Sequence, residues 1–260
     1  MSFEVAIHQF QDPRVGITYG FLLHSHEQNK TLGIDAGRAR PLLDLLDQKN
    51  WTLDELWITH HHFDHTDGLL EVKQSTGCQV TGPKNQTIPI HGLDRVVEEG
   101  DSLSFAGHEA AILYAPGHTN DMLNYHFADL GICFVGDVLF PLGCGRIKEG
   151  TPEDMWSSLQ RLARLPDTTL IYSCHEYADS NAQFALSVEP SNKDLLKSID
   201  NIEKSIKNGR PTIPSILFEE LLTNPFLRPH IPEIRATINA AQELSDVEVF
   251  AQLRAMKDRF

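Results

Sequence analysis

Seven consecutive residues constrain the fold of this chain more than any other feature of its sequence. The run Thr59-His60-His61-His62-Phe63-Asp64-His65 places four histidines and one aspartate directly after an apolar segment. In an extended backbone neighbouring side chains point in opposite directions, so His60 and His62 share one direction and His61 takes the other. Imidazole nitrogens together with a carboxylate suit zinc, iron or manganese. The run therefore predicts a metal site at the end of a strand.

Three further apolar runs also end at possible metal ligands. They occupy residues 110–115, 131–135 and 168–172 and lead into His118, Asp137 and His175. Loops beyond strand ends carry side chains on a rigid frame, and this is where ligand sites often lie in layered α/β architectures. We therefore predict that these three side chains join the histidine run in one constellation.

The predicted ligands are too many for one metal ion. The full set is His60, His62, Asp64, His65, His118, Asp137 and His175. A single catalytic zinc takes three or four protein ligands, so seven suit two metal ions that share one carboxylate. Two ions about 3.5–4 Å apart can hold a hydroxide and polarise the bond that it attacks, which predicts a hydrolase. Zinc, iron and manganese all accept such ligands, and zinc is the ion that we expect.

The predicted secondary structure changes near residue 175. The first 175 residues alternate strand-like and helix-like segments, whereas the last 85 are helix-like. One apolar face in the second part consists of Leu195, Ile199, Ile202 and Ile206. We predict a layered domain of α/β or α+β type at residues 1–175 and an all-helical domain at residues 176–260.

Three segments carry signals for the start of a helix. Thr151 precedes a proline and two acids, and the stripe of apolar residues that follows it is expected to pack in the core. Ser215 is expected to cap a second helix, and Ser245 with Glu248 forms the capping box of the last helix.

Composition restricts the partners of the chain. The formal net charge of −14 argues against a nucleic-acid partner, which requires a basic surface. No stretch approaches the roughly 20 apolar residues that span a bilayer, and the first residues lack the pattern of a signal peptide. The four cysteines form no CxxC pair, so we expect free thiols in a reducing cytoplasm. No long apolar surface stripe requires a partner chain, and we expect a monomer.

Several motifs resemble those of a known superfamily. His60-x-His62-x-Asp64-His65, Pro116-Gly117-His118-Thr119, Gly136-Asp137 and His175 resemble the metallo-β-lactamase superfamily, which implies an αββα sandwich with a dinuclear site at its edge. More specific stretches resemble glyoxalase II, the hydroxyacylglutathione hydrolases. These stretches are Gly143-Cys144-Gly145-Arg146, His175-Glu176-Tyr177, residues 224–228 and residues 253–260. That resemblance extends over nearly the whole chain.

The resemblance implies a reaction and a role for each ligand. The family cleaves S-D-lactoylglutathione to glutathione and D-lactate. By that likeness His60, His62 and His118 hold one metal, Asp64, His65 and His175 hold the other, and Asp137 bridges them. Asp64 also orients the attacking hydroxide, which makes Asp64 and Asp137 the expected catalytic residues.

Glutathione carries two carboxylates, so its site on an acidic protein requires fixed positive charge. Arg254 and Lys257 are three residues apart and therefore share one face of the last helix. The resemblance assigns this pair to the glycine carboxylate of glutathione. The other substrate contacts that it implies are Arg146, Lys148 and Tyr177.

Three other functions stay open at this point. A persulfide dioxygenase of the same fold would hold a single iron, another hydrolase of the superfamily would cleave a different substrate, and a non-catalytic metal-binding module would hold metal without thioesterase activity. The sequence also departs from the family pattern at Thr18, at Asp121-Met122, at Lys148 and at Cys174. None of them removes a predicted ligand, so we expect effects on rate or on the preferred acyl group.

Overall fold

The histidine run follows a short strand of a six-stranded mixed sheet. The computed structural model describes residues 3–85 and 87–260. In sheet order the strands are β1 (Phe3–Asp12), β2 (Gly16–Ser25), β3 (Lys30–Ile34), β4 (Glu55–Trp57), β5 (Gln79–Pro83) and β6 (Arg95–Val97). The pairs β1/β2 and β2/β3 are antiparallel, and the remaining pairs are parallel. The three parallel pairs bring the carboxyl ends of β3, β4, β5 and β6 to one edge.

The register of the parallel strands decides which residues meet at that edge. Ile34 pairs with Trp57, and Trp57 pairs with Thr81. Ile34 and Trp57 are the last residues of β3 and β4, so the residues that follow these two strands start level with each other. Asp35 comes directly after β3, and Thr59 lies two residues after β4, so both are placed beside the histidine run.

Alternation along β4 separates two apolar layers. Leu56 belongs to a core formed with α1 (Ala39–Lys49) and α3 (Leu69–Thr76), which lie on one face of the sheet. Trp57 points to the other face and stacks on Phe127, with ring centroids 5.7 Å apart. Phe127 belongs to an antiparallel meander of β7 (Ser102–Phe105), β8 (His108–Tyr114) and β9 (Leu123–Phe127).

The chain forms two compact units. The first extends to Tyr114 and includes residues 121–130 and 134–136, and the second contains residues 115–120, 131–133 and 137–260. The strand β10 (Ile132–Gly136) has residues in both. The remaining strands belong to the second unit and are β11 (Leu139–Phe140), β12 (Gly143–Cys144), β13 (Leu170–Ser173) and β14 (Ser215–Ile216). The domain boundary between residues 175 and 176 stays a prediction.

Helices dominate the second unit. A short α2 (Phe63–Thr66) belongs to the first unit, and the second contains α4 (Pro152–Leu162), α5 (Ala178–Val188), α6 (Lys193–Lys207), α7 (Leu217–Thr223), α8 (Pro232–Thr237), α9 (Asp246–Lys257) and a 3-10 turn (Pro225–Leu227). None of the helices in the described ranges is both long and apolar enough to cross a membrane.

The predicted helix starts are confirmed at two of three positions. Thr151 and Ser245 each form a complete capping box, at the start of α4 and α9. The prediction for Ser215 is wrong, because Ser215 lies in β14 and pairs with β13. The backbone N–H of Leu217 donates to the carbonyl of Thr169, so pairing between strands overrides the local capping signal.

The apolar face predicted on α6 is shorter than expected. Leu195 is buried in a cluster with α5, and Ile199 and Ile202 pack against that cluster. Ile206, in the last turn of α6, is 42 % exposed. The apolar stripe therefore ends one turn before the helix does.

His8 makes the first unit sensitive to acid. Its ring lies against Gly20 on the neighbouring strand and is fully buried, and this burial lowers the pKa of His8 from 6.5 to about 4. Protonation of the unfolded state below pH 6.5 therefore costs stability until the folded state is also protonated near pH 4. We expect His8→Phe to reduce the loss of unfolding free energy between pH 7 and pH 4 by about 3 kcal/mol. Urea unfolding of both proteins at each pH measures this, with the exposed His230→Phe as control. Equal losses in all three proteins would contradict the prediction.

Candidate metal centre

In the first unit the histidine run follows the predicted alternation. Nε2 of His60 lies 3.1 Å from Nδ1 of His62, so these two side chains meet. The side chain of His61 instead approaches Asp121, with Nδ1 3.0 Å from Oδ1. The short helix α2 then presents Asp64 and His65. The ligand atoms of His65 lie within 4.8 Å of those of both His60 and Asp64.

Asp35 supports this run and is a residue that the sequence analysis missed. Its carboxylate accepts hydrogen bonds from the backbone N–H and the hydroxyl of Thr59, both at 2.8 Å. It also lies 2.8 Å from Nδ1 of His65. A proton on that Nδ1 leaves Nε2 of His65 as the ligand atom, which is the arrangement common for histidines that bind metal. The signal in the sequence is an aspartate directly after a buried strand.

Gly37 fixes the backbone at Asp64. A Cβ atom at position 37 would lie 1.8 Å from the carbonyl oxygen of Asp64 and 2.7 Å from the ring of Phe10. Only glycine leaves room for such a close approach of two backbone segments. The position of Asp64 therefore depends on the absence of a side chain 27 residues earlier in the sequence.

The second unit contributes three predicted ligands that converge on one atom. Oδ2 of Asp137 lies 3.3 Å from Nε2 of His118 and 3.2 Å from Nε2 of His175. All three residues are buried. Nδ1 of His118 lies 2.8 Å from the carbonyl oxygen of Arg146, which fixes the orientation of that ring. One carboxylate oxygen thus lies between two imidazoles.

The donor sets of the two units fit divalent metal ions. Each set combines imidazole nitrogens with a carboxylate, as zinc, iron and manganese prefer. A carboxylate between two imidazoles has the chemistry of a bridging ligand, because each of its oxygens can bind a separate ion. All four cysteines are buried free thiols, and none of them is needed to complete the sets.

Three of the predicted substrate contacts form a cationic cluster in the second unit. Burial, followed by repulsion from Arg254 and Arg146, lowers the pKa of Lys257 to about 8. The ammonium group of Lys257 donates to the carbonyl and the hydroxyl of Ser180, both at 2.6 Å. Ser180 is thus a second residue that the sequence did not predict, and the mixed polar and apolar segment Ala178–Ala182 around it gives no signal for this contact.

Arg254 is less accessible than the resemblance implied. Its side chain is buried at 5 % exposure, and Nη1 donates to the carbonyl oxygen of Cys144 at 2.8 Å. Nη2 lies 3.0 Å from Asp258. Arg254 therefore supports the Gly143–Arg146 segment through Cys144 in addition to carrying positive charge.

The remaining predicted contacts differ in their surroundings. The ring of Tyr177 stacks on His175 with centroids 4.9 Å apart and meets the ring of Phe140 at its edge. Lys148 is exposed, and within residues 3–85 and 87–260 it makes no hydrogen bond or ion pair. Tyr177 is therefore held in place, whereas Lys148 is not.

Asp121, one of the positions that depart from the family pattern, belongs to a cluster of polar side chains in the structure. Asp121 is buried and approaches His61, and its other oxygen accepts a hydrogen bond from Asn85 at 3.0 Å. Asn85, Asp121 and His61 therefore form a polar cluster beside the two histidines that flank His61 in the sequence.

Two family models match the chain. The model described as "Hydroxyacylglutathione hydrolase C-terminus" matches residues 176–260, and the model of the metallo-beta-lactamase superfamily matches residues 28–175. A hydroxyacylglutathione hydrolase from Maricaulis maris is 45 % identical over 257 residues, covering 99 % of both chains. One from Hyphomonas neptunium is 42 % identical over 260 residues and covers both chains completely.

Solved structures share the fold. The ETHE1 protein of Myxococcus xanthus has a TM-score of 0.63 at 23 % identity, covering 97 % of this chain and 98 % of its own. The B3 metallo-beta-lactamase BLEG-1 has a TM-score of 0.64 at 19 % identity, covering 86 % of this chain and 100 % of its own. The predicted α+β fold of the metallo-β-lactamase type, followed by a helical C-terminal region, is confirmed by these matches.

Proposed function

Because this chain belongs to the hydroxyacylglutathione hydrolase family of the metallo-β-lactamase superfamily, we propose that it hydrolyses S-(2-hydroxyacyl)glutathione thioesters. The chief substrate is S-D-lactoylglutathione, and the products are glutathione and D-lactate. The observation that carries the proposal is the position of one Asp137 oxygen within 3.3 Å of both His118 and His175. A carboxylate in this position could serve two divalent ions at once, as a dinuclear hydrolase can use it.

Seven side chains would hold two divalent ions, most simply zinc. His60, His62 and His118 would hold one ion, and Asp64, His65 and His175 the other, with Asp137 common to both. When bound, the ions supply a water molecule of lowered pKa and polarise the carbonyl under attack. Asp35 holds His65 by its Nδ1, and the Arg146 carbonyl holds His118 by its Nδ1. Each imidazole is thereby oriented before an ion arrives.

The protein groups have separate tasks in the reaction. The Asp64 carboxylate accepts a hydrogen bond from the attacking water. This hydrogen bond directs a lone pair of the water oxygen at the thioester carbon. The leaving group is a thiolate whose thiol has a pKa of roughly 8.5, so a strong general acid is unnecessary. Tyr177, stacked on His175, and the cations Arg146, Lys148, Arg254 and Lys257 would bind the glutathione part.

Lys257 gives the binding of substrate a dependence on pH. Its pKa of about 8 means that the ammonium is charged below pH 8 and neutral above it. We expect KM for S-D-lactoylglutathione to rise as the pH increases from 7 to 9, because an anionic ligand loses a cation. Lys257→Met should raise KM about tenfold at pH 7 and remove this dependence, with kcat nearly unchanged. The exposed Lys193→Met serves as control, and a KM that rises equally with pH in Lys257→Met would contradict the assignment.

One experiment tests the function together with its rivals. Purified protein is assayed on S-D-lactoylglutathione and on other glutathione thioesters, with metal analysis of the same sample. We expect thioesterase activity with close to two ions per chain. A single iron with oxygen consumption on glutathione persulfide would favour a dioxygenase, and two bound ions without thioesterase activity would favour a binding module.

We further propose that the enzyme acts as a monomer in the cytoplasm. The four buried free cysteines suit a reducing compartment, where thiols persist. Light scattering of the purified protein and fractionation of cells test these two points separately.

A further inference from the structure

The buried carboxyl of Glu220 in α7 is hydrogen-bonded to a hairpin. In the sequence this hairpin lies between two predicted ligands of the second unit, Asp137 and His175. The hairpin consists of β11 and β12, begins two residues after Asp137 and ends directly before Gly145. We propose that Glu220 is a positioning residue that latches this hairpin, and that the strength of the latch changes with the protonation of Glu220. The effect on catalysis rests on the proposed hydrolase function.

The latch consists of hydrogen bonds from one helix turn to the tip of the hairpin. Oε2 of Glu220 accepts from the backbone N–H of Leu142 at 2.9 Å and from Nδ2 of Asn224 at 2.9 Å. Nδ2 of Asn224 also lies 2.9 Å from the carbonyl of Gly143 and 3.2 Å from that of Phe140. Leu142 has a φ of 56°, a left-handed conformation that costs free energy for a branched side chain. The bonds to its neighbours therefore stabilise a turn that is unfavourable by itself.

A displacement of the hairpin would be transmitted to Asp137 and His118, two of the predicted ligands, through two contacts. The backbone N–H of Gly145 donates to the carbonyl of Val138, and a Cβ at Gly145 would lie 2.0 Å from the carbonyl oxygen of Asp137. The next residue, Arg146, holds Nδ1 of His118 by its carbonyl. A shift of the hairpin end therefore changes both the backbone at Asp137 and the orientation of the His118 ring.

Burial brings the titration of Glu220 close to neutral pH. Its side chain is 3 % exposed, and this burial raises the pKa of Glu220 to about 7, although hydrogen bonds from Asn224 and Leu142 oppose the rise. Above pH 7 the carboxylate accepts both N–H donors. Below pH 7 the protonated carboxyl has lost its negative charge, so both N–H groups exchange a charge-assisted hydrogen bond for a weaker neutral one. The latch is therefore stronger at higher pH.

Among Glu220 and the groups that face it, the charge that mainly changes with pH is that of Glu220 itself. Glu219 on the same helix raises the pKa further, and Cys144 is the ionisable residue of the hairpin. A cavity of about 180 Å³ borders Glu220 and gives protons a route to it. The α6 side chains that line this cavity are uncharged, and they are Ser198, Asn201, Ile202 and Ser205.

Glu220→Gln removes the titration while keeping one acceptor oxygen. We expect the amide NMR signals of Leu142 and Gly143 to shift with a midpoint near pH 7 in the metal-loaded wild type and at slightly lower pH in the exposed control Glu219→Gln, but not in Glu220→Gln. The kcat of wild type relative to Glu220→Gln should rise about tenfold from pH 6 to pH 8, with equal KM and equal metal content in the two proteins at each pH. Parallel pH profiles in the two proteins would overturn the proposal, as would wild-type amide signals without a midpoint between pH 6 and 8.

A second measurement tests the proposal even if Glu220→Gln fails to fold, because it uses the wild-type protein. Wild-type enzyme labelled with ¹³C at the glutamate carboxyls should show one carboxyl signal that titrates near pH 7 with the same midpoint as the Leu142 amide. Separate midpoints would overturn the latch. Neither NMR readout needs substrate, so a protein that shows the shared midpoint but no thioesterase activity would support the latch and overturn the proposed function.

Discussion

Replacing Asp137 with asparagine is expected to lower kcat about a thousandfold and to reduce the bound metal to at most one ion per chain. The amide keeps the size of the side chain but removes its charge, and its nitrogen cannot bind a cation. Both His118 and His175 then face an uncharged amide in place of the carboxylate whose oxygen lies within 3.3 Å of each of them. Changes in groups that merely support ligands cost 10–100-fold in activity or metal affinity, so a shared ligand should cost more. Steady-state kinetics and metal analysis on one preparation measure both effects.

The control for this variant is Asp129→Asn. Asp129 is exposed and also faces a histidine, His108, so the local chemistry is matched while the location is different. We expect wild-type kcat and metal content in the control. Asp137→Asn with two bound ions and normal kcat would show that Asp137 is not the shared ligand.

The proposed ligand set could be read from the sequence because each member combines a distinctive residue type with the end of an apolar run. His118, Asp137 and His175 each follow a strand within a few residues, and the structure brings these three side chains together around one oxygen. The residues that orient the ligands gave no comparable signal. Asp35 meets His65 only because Ile34 and Trp57 are in register, which is a property of strand pairing and not of local sequence.

The contacts of the helical region were predicted less well for a related reason. Arg254 and Lys257 were expected from helical spacing to share a face, and both do contribute to one cationic cluster. Spacing along one helix cannot show that Cys144 accepts a hydrogen bond from Arg254 across 110 residues of sequence. Glu220 looks like an ordinary acid of a helix first turn, and only its burial under the hairpin distinguishes it from Glu219.

Introducing a methyl group at Gly37 is expected to lower kcat at least a hundredfold, although residue 37 is not a predicted ligand. In Gly37→Ala the new Cβ would lie 1.8 Å from the backbone oxygen of Asp64, and backbone cannot yield as a flexible side chain can. Asp64 must therefore move, and a displacement of about 1 Å in a reacting group can cost about 100-fold in rate. One of the two ions should also bind more weakly. Stopped assays and metal titration of the purified variant measure these losses.

The matched control is Gly33→Ala, four residues earlier in β3. There the added Cβ meets the side-chain tips of Leu56 and Leu53 at 3.0 and 3.3 Å, which can shift by small rotations. We expect this control to keep kcat within about threefold of wild type, at a stability cost of about 1 kcal/mol. If Gly37→Ala and Gly33→Ala lose activity equally, general destabilisation of the sheet explains the loss. If only Gly37→Ala loses both activity and one ion, the close approach of Gly37 to Asp64 is what sets that ligand in place.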